Sequence, residues 1–226
     1  MSRTAVGDAQ AAQDAPEASE AQPQSQSQSQ SQPRPHSPHD TLTFVTGNAG
    51  KVRELQAVLE GTGIRVIQAN LGYPEVQADS LAEVAEFGRT WLREHGAPVP
   101  FLLEDSGLFI PAVGGFPGVY SRYALDTLGP EGVLRAAGIG AAAEFHCHLL
   151  LATPEPVRFT GIVRGTLVAP RGDGGFGFDS IFQPVGENRT FAEMETAEKN
   201  ALSHRGQAVR ALAAHLGDEG KESAKR

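Results

Sequence analysis

Leu42-Thr-Phe-Val-Thr-Gly-Asn-Ala-Gly-Lys51 decides the reading of this chain. Leu42 to Thr46 is a short β-rich run, Gly47 breaks it, and Val52, Leu55, Val58 and Leu59 then recur at helical spacing until Gly61. That switch of period predicts a strand, a tight loop and a helix. Backbone N–H groups at the helix start, with the Thr46 hydroxyl, the Asn48 amide and the Lys51 ammonium, form a set suited to phosphate oxygens. A structural turn with a capped helix is the alternative. The loop is not a Walker A motif: Gly47 to Gly50 is too short, and Val52 stands where a magnesium-binding Ser or Thr would be needed.

Lys51 has one counterpart. Between Asp40 and Gly217 the only other lysine is Lys199, and the rest of that span uses arginine. A compact ammonium meets an anion from one direction, where a broad guanidinium does not fit, so both lysines are read as phosphate grips.

Downstream, Ile64 to Gln68 reads as a second strand. Ser80 and Glu83 make a capping-box pattern ahead of an amphipathic helix through Leu92. Phe101 to Leu103 reads as a buried strand that ends in Glu104-Asp-Ser-Gly107, and Pro130 to Ala137 as a short helix. Glu144 to Leu151, Val157 to Val163 and Thr166 to Ala169 read as successive strands, and Ser180 to Gln183 as another. The last helix is expected from about Arg205 to Leu216, with Ser203 as N-cap and Gly217 as stop. Alternation followed by clustered strands predicts an α/β fold with a mixed sheet, in two lobes with a cleft between them.

Composition bounds the rest. Residues 1–40, with the run Ser25-Gln-Ser-Gln-Ser-Gln-Ser-Gln32, contain almost no large apolar side chain and are expected to form a disordered tail. Residues 41–217 are expected to form one domain, and residues 218–226 a charged, frayed tail. The chain shows no apolar signal region and no membrane-length stretch, so a soluble, cytoplasmic protein is expected. One cysteine, Cys147, excludes an internal disulfide. The formal charge of -8 disfavours a general nucleic-acid binder. An anionic substrate must then be held by a local cluster of cations.

Glu104, Asp105 and the loop residue Glu75 supply carboxylates. Beside a polyphosphate they make sense with a hard divalent cation between the charges, and one of them is then available to orient or deprotonate a water. Gly172-Asp-Gly-Gly-Phe-Gly177 matches the dinucleotide fingerprint only formally, because a strand rather than a helix comes next. It reads better as a loop presenting Phe176 and Phe178 to a base, with core packing of the two rings as the alternative. Ser203-His-Arg-Gly206 gathers donors that suit the carbonyl of a 6-oxopurine, with a capped, solvated helix end as the alternative. An adenine amino group would leave them unpaired, at about 1–3 kcal/mol each. His146 and His148 share a strand face without a third ligand nearby, and Asn188-Arg-Thr190 is a sequon only formally.

Thr46-Gly-Asn-Ala-Gly-Lys51, Glu104-Asp-Ser-Gly-Leu108, Gly114-Gly-Phe-Pro-Gly-Val-Tyr-Ser121, Ala169-Pro-Arg-Gly172, Phe176-Gly-Phe-Asp179 and Ser203-His-Arg-Gly206, in this order, resemble the inosine/xanthosine triphosphate pyrophosphatase family over about Thr41 to Leu216. The resemblance implies an elongated mixed α/β fold with a central cleft, a homodimer, Mg²⁺ dependence, and hydrolysis of ITP, dITP and XTP to monophosphate and pyrophosphate. It implies that Thr46, Gly47, Asn48, Lys51, Ser106 and Lys199 hold the nucleotide and that Phe176, Gly177, Phe178, Asp179, Ser203, His204 and Arg205 form the base pocket. Glu75 and Asp105 would bind the metal, with Glu104 in support, and Asp105 and Lys51 would serve the chemistry. Two positions depart from the family pattern: Ser180 stands where many members have proline, and Ala85-Glu-Phe87 where relatives often carry Asn or Lys facing the site. The rival readings are a pyrimidine-nucleotide pyrophosphatase of the Maf-like type and a non-catalytic nucleotide or RNA binder.

Overall fold

The computed structural model describes residues 41–223, with side chains to residue 218. The expected disordered tail 1–40 and the end of the charged tail lie outside the described residues.

The described residues build one six-stranded sheet in the order β2-β1-β3-β4-β5-β6. The strands are β1 (Thr41–Val45), β2 (Arg65–Ala69), β3 (Phe101–Phe109), β4 (Ala142–Ala152), β5 (Val157–Leu167) and β6 (Phe182–Pro184). β1 runs parallel to both β2 and β3, and the remaining pairs are antiparallel. This is the expected mixed α/β sheet. The helices are α1 (Ala49–Leu59), α2 (Leu81–Glu94), α3 (Ser121–Ala137), α4 (Thr196–Leu202) and α5 (His204–Ser223). Apolar residues of α1 and α5 pack with β1, β3 and β4 on one face, around Phe44, Leu55, Leu102, Leu149 and Leu212. Ala85 and Leu92 of α2 cover Phe101, Leu103 and Leu150 on the other. A third cluster joins α3 to the far ends of β4 and β5 around Phe145, Phe182 and Phe191. No helix among the described residues is long and apolar enough to cross a membrane.

Local rules explain most boundaries. Asn48 caps α1 by accepting from the N–H groups of Gly50 and Lys51, worth about 1 kcal/mol. Ser80 accepts from Glu83 N–H, while the Glu83 carboxylate reaches back to Asp79 N–H. Ser203 Oγ accepts from Gly206 N–H and so starts α5 as predicted.

Five expectations are corrected. Glu104-Asp-Ser-Gly107 does not end a strand: β3 continues to Phe109 because β4 pairs along its whole length. Thr166 is not a separate strand, since β5 runs unbroken through Gly165. The Gly165 backbone lies so close to Phe182 and the Gln183 carbonyl that a Cβ would meet both at 2.5 Å. The short helix at Pro130 is the second half of α3, which begins at Ser121 and kinks at Gly129, where φ is 67°. Ser180 belongs to a 3₁₀ turn (Asp179–Ile181), and the strand starts at Phe182. Gly217 does not stop α5: it lacks the positive φ of a helix-ending glycine, and a glycine inside a helix costs only about 1 kcal/mol.

Candidate active site

β1 pairs with β3 only at Phe101 and Leu102, so β3 outlasts its parallel neighbour by several residues. The acidic residues lie on this unshielded stretch, beside the β1–α1 loop. Strand pleating sends successive side chains to opposite faces. Glu104 shares a face with Leu102, under α1 and α5, and Asp105 shares one with Leu103, on the α2 side. A pocket of about 580 Å³ opens there. It is lined by Thr46, Gly47, Asn48 and Lys51 from the first loop, and by Glu75, Glu104, Asp105 and Ser106 from the acidic side. Phe176, Gly177, Phe178, Asp179, Lys199, His204 and Arg205 complete it. The two lysines, distant in sequence, therefore share one hollow.

Each cation is tethered to buried acid. Lys51 Nζ lies 2.7 Å from Glu104 Oε2 and donates to the Glu104 carbonyl at 3.2 Å. Lys199 Nζ lies 2.6 Å from Glu54 Oε1 and 2.5 Å from Asp179 Oδ2. Arg205 donates from Nη1 to Glu54 and from Nη2 to Glu104 and Ser106, while its buried Nε has no partner among the described residues. Burial alone would raise the Glu104 pKa, but Arg205 and Lys51 hold this carboxylate far below the usual range. It remains an anion under all ordinary conditions. Glu104 is thus a support that fixes two cations.

Asp105 differs. Among the described residues it accepts only from the adjacent Ser106 N–H, at 3.0 Å. Burial pushes its pKa up to about 6, Lys51 opposes the shift, and the charges of Glu104 and Glu75 reinforce it. Glu75 is exposed at the pocket mouth. Among the described residues no cluster of three or more His, Cys, Asp or Glu side chains could hold a metal ion unaided. Mg²⁺ commonly takes one or two protein carboxylates and fills its other positions with water and phosphate oxygens. Glu75 and Asp105, with their mutual repulsion, fit that habit.

Phe176 is half-buried, with Lys199 Nζ 4.6 Å and Arg205 Cζ 5.4 Å from its ring centroid. Asp179 accepts from Phe176 N–H at 2.8 Å, fixing the turn that presents the ring. Gly50 permits this: a Cβ there would lie 2.7 Å from the Phe176 ring. Phe178 touches the pocket but is buried in the third core cluster, so packing, not stacking, is its main role. His204 is buried and stacked on Phe145 at 4.8 Å, and its Nδ1 has no partner among the described residues. Burial, reinforced by Arg205, holds its pKa well below the usual imidazole value.

Ser203 is placed differently from its neighbours. It is fully buried, does not line the pocket, and uses its hydroxyl to cap α5. From α2 only Val84 lines the pocket. Glu86 turns to Arg89 and Arg158, and Phe87 is exposed. His146 binds Glu144 and stacks on Phe109. Cys147 is buried, and burial pushes its thiol pKa up. Sequence reasoning missed two pocket-shaping residues, Glu54 and Tyr73. Glu54 lies one helical turn after Lys51 and has the sequence signature of a surface acid, although it is 5% exposed. Tyr73 lies two residues before Glu75, its only local signal. Burial and the charges of Asp105, Glu104 and Glu75 push its pKa up to about 12.

The fold and the pocket define an α/β protein that sets two lysines and a base-sized aromatic ring opposite a pair of carboxylates. The chain belongs to the Ham1 family, whose sequence profile matches residues 42–215. It is 49% identical over 175 residues to the dITP/XTP pyrophosphatase of Thermococcus kodakarensis, an alignment covering 76% of this chain and 95% of the relative. It is 44% identical over 178 residues to that of Pyrococcus horikoshii, covering 75% and 92%. Among solved structures, a HAM1 protein from Coxiella burnetii superimposes with TM-score 0.66 at 32% identity, over 79% of this chain and 98% of that one. The Ham1 protein of Staphylococcus aureus gives 0.67 at 26% identity, over 79% and 99%.

Proposed function

We propose that this protein hydrolyses non-canonical purine nucleoside triphosphates, dITP, ITP and XTP, to the monophosphate and pyrophosphate. The observation that carries this is the single pocket shared by Lys51, Lys199, Glu75 and Asp105, in a chain closely similar to dITP/XTP pyrophosphatases. Thr46, Gly47, Asn48, Lys51 and Lys199 hold the phosphates. Phe176 stacks on the purine, and His204 Nδ1 with Arg205 Nε meets its carbonyl. Adenine offers an amino group there and leaves such donors unpaired. Mg²⁺, held by Glu75 and Asp105 with phosphate oxygens, would offset charge on the polyphosphate.

A water attacks the α-phosphorus in line and gives a proton to Asp105. The bond from the α-phosphorus to the bridging oxygen breaks, and its electron pair leaves with pyrophosphate. Lys51 and Lys199 stabilise the charge that develops. The protein acts in the cytoplasm as a homodimer, without nucleic-acid or membrane partners. The net charge of -8 supports the exclusion of nucleic acid.

The test is incubation with ITP, XTP, GTP, ATP and dTTP plus Mg²⁺, with identification of the products. Monophosphate and pyrophosphate from ITP and XTP are expected. Diphosphate and orthophosphate, or a preference for dTTP, would overturn the proposal.

A further inference from the structure

The acidic side of the pocket contains a neutral hydroxyl to which the proposed reaction gives no part. Tyr73 lies in the loop between β2 and α2 and lines the pocket with Glu75 and Asp105. Its ring lies on α2 at Gly88, where a Cβ would come within 2.8 Å of it, closer than such atoms approach. The ring also packs against the core cluster of Val45, Ala85 and Leu103. Helix and core together fix the ring, and with it the phenolic oxygen. Tyr73 and Asp105 line the same pocket, and among the described residues the phenolic oxygen makes no hydrogen bond. A fixed hydroxyl that shares a hollow with a carboxylate, but is not bonded to it, is placed to share a water with it.

We propose that Tyr73 is a further catalytic residue of the pyrophosphohydrolase reaction, holding the attacking water jointly with Asp105. The inference rests on the function proposed above. Asp105 takes one proton of the water, and the phenolic oxygen accepts a hydrogen bond from its other O–H. The lone pair of the water oxygen is thereby turned towards the phosphorus. Tyr73 neither gains nor loses a proton, because a phenol is both donor and acceptor in its neutral form. Gly88 acts through Tyr73 as a positioning residue, since any side chain at that site would displace the ring.

The experiment is steady-state hydrolysis of ITP with Mg²⁺ by the full chain and two variants. Tyr73→Phe keeps the ring and its packing but removes the oxygen. Its kcat should fall by on the order of 100-fold, with KM within about threefold of the parent and pyrophosphate still the product. Gly88→Ala keeps the hydroxyl but moves it, and its kcat should fall as well. A merely structural role would change the melting temperature or KM and leave kcat alone, and that result would overturn the proposal. Parental kcat in Tyr73→Phe would overturn it too, while leaving the proposed function standing. Failure of the parent to release pyrophosphate from ITP or XTP would overturn both.

Discussion

Glu54 Oε1 lies 2.6 Å from Lys199 Nζ, and the other oxygen of the same carboxylate accepts from Arg205. One acid on α1 thus fixes a cation from α4 and another from α5, so the proposed phosphate grip and the proposed base pocket share an anchor. Arg205 and Lys199 hold the Glu54 pKa down against burial.

Removing one member of a buried ion pair strands its partners, at about 3–5 kcal/mol. Glu54→Gln keeps the shape and removes the charge, so its urea midpoint should fall markedly at neutral pH. An unchanged midpoint would mean that the two cations do not depend on Glu54.

Asp105→Asn should lower kcat for ITP by about 10²–10⁴-fold, the usual worth of a positioned general base, with IMP binding little altered. Stopped-flow release of pyrophosphate together with IMP calorimetry separates the two effects. A parental rate would remove Asp105 from the chemistry.

Gly50→Ala places a methyl group 2.7 Å from the Phe176 ring and 3.0 Å from Asn48 Oδ1. The ring must move, and IMP binding should weaken by about 1–3 kcal/mol, the worth of one base–aromatic stack. Calorimetry with IMP measures this, and undiminished affinity would show that Phe176 does not stack on the base.

His204 gives stability a pH dependence of known sign. Its folded pKa lies well below its unfolded value, so below about pH 6.5 the unfolded chain binds a proton that the folded one refuses. The contribution is intact above that pH and is lost as pH falls, by at most about 1.4 kcal/mol per pH unit. His204→Phe keeps a ring against Phe145 and should flatten this part of the curve between about pH 6.5 and pH 5. Chemical denaturation across that range decides the matter, and identical slopes would contradict it.

The first strand, loop and helix are legible in the sequence because the period changes at Gly47 and Asn48 caps the helix after it. Residues 104–107 read wrongly as a strand end because polar side chains on an unshielded strand look like a loop. Only the pairing of β3 with β4 reveals otherwise, and that is a tertiary fact. The first half of α3 is hidden behind a glycine- and proline-rich lead-in. Lys51 and Lys199 are recognisable because no other lysine lies between Asp40 and Gly217. Glu54 escapes notice because its partner Arg205 is 151 residues away. Ser203 reads as a pocket residue although its capping role is equally visible in the sequence.

Lys51, Lys199 and Arg205 rest against Glu54, Glu104 and Asp179, so the three cations are already neutralised within the protein. Glu75 and Asp105 are left over at the same pocket and the chain carries a formal charge of -8, so the field that meets an approaching nucleotide is negative. Nucleotide capture should therefore quicken as ionic strength rises, because salt screens a repulsion felt from afar while the grip itself begins at contact.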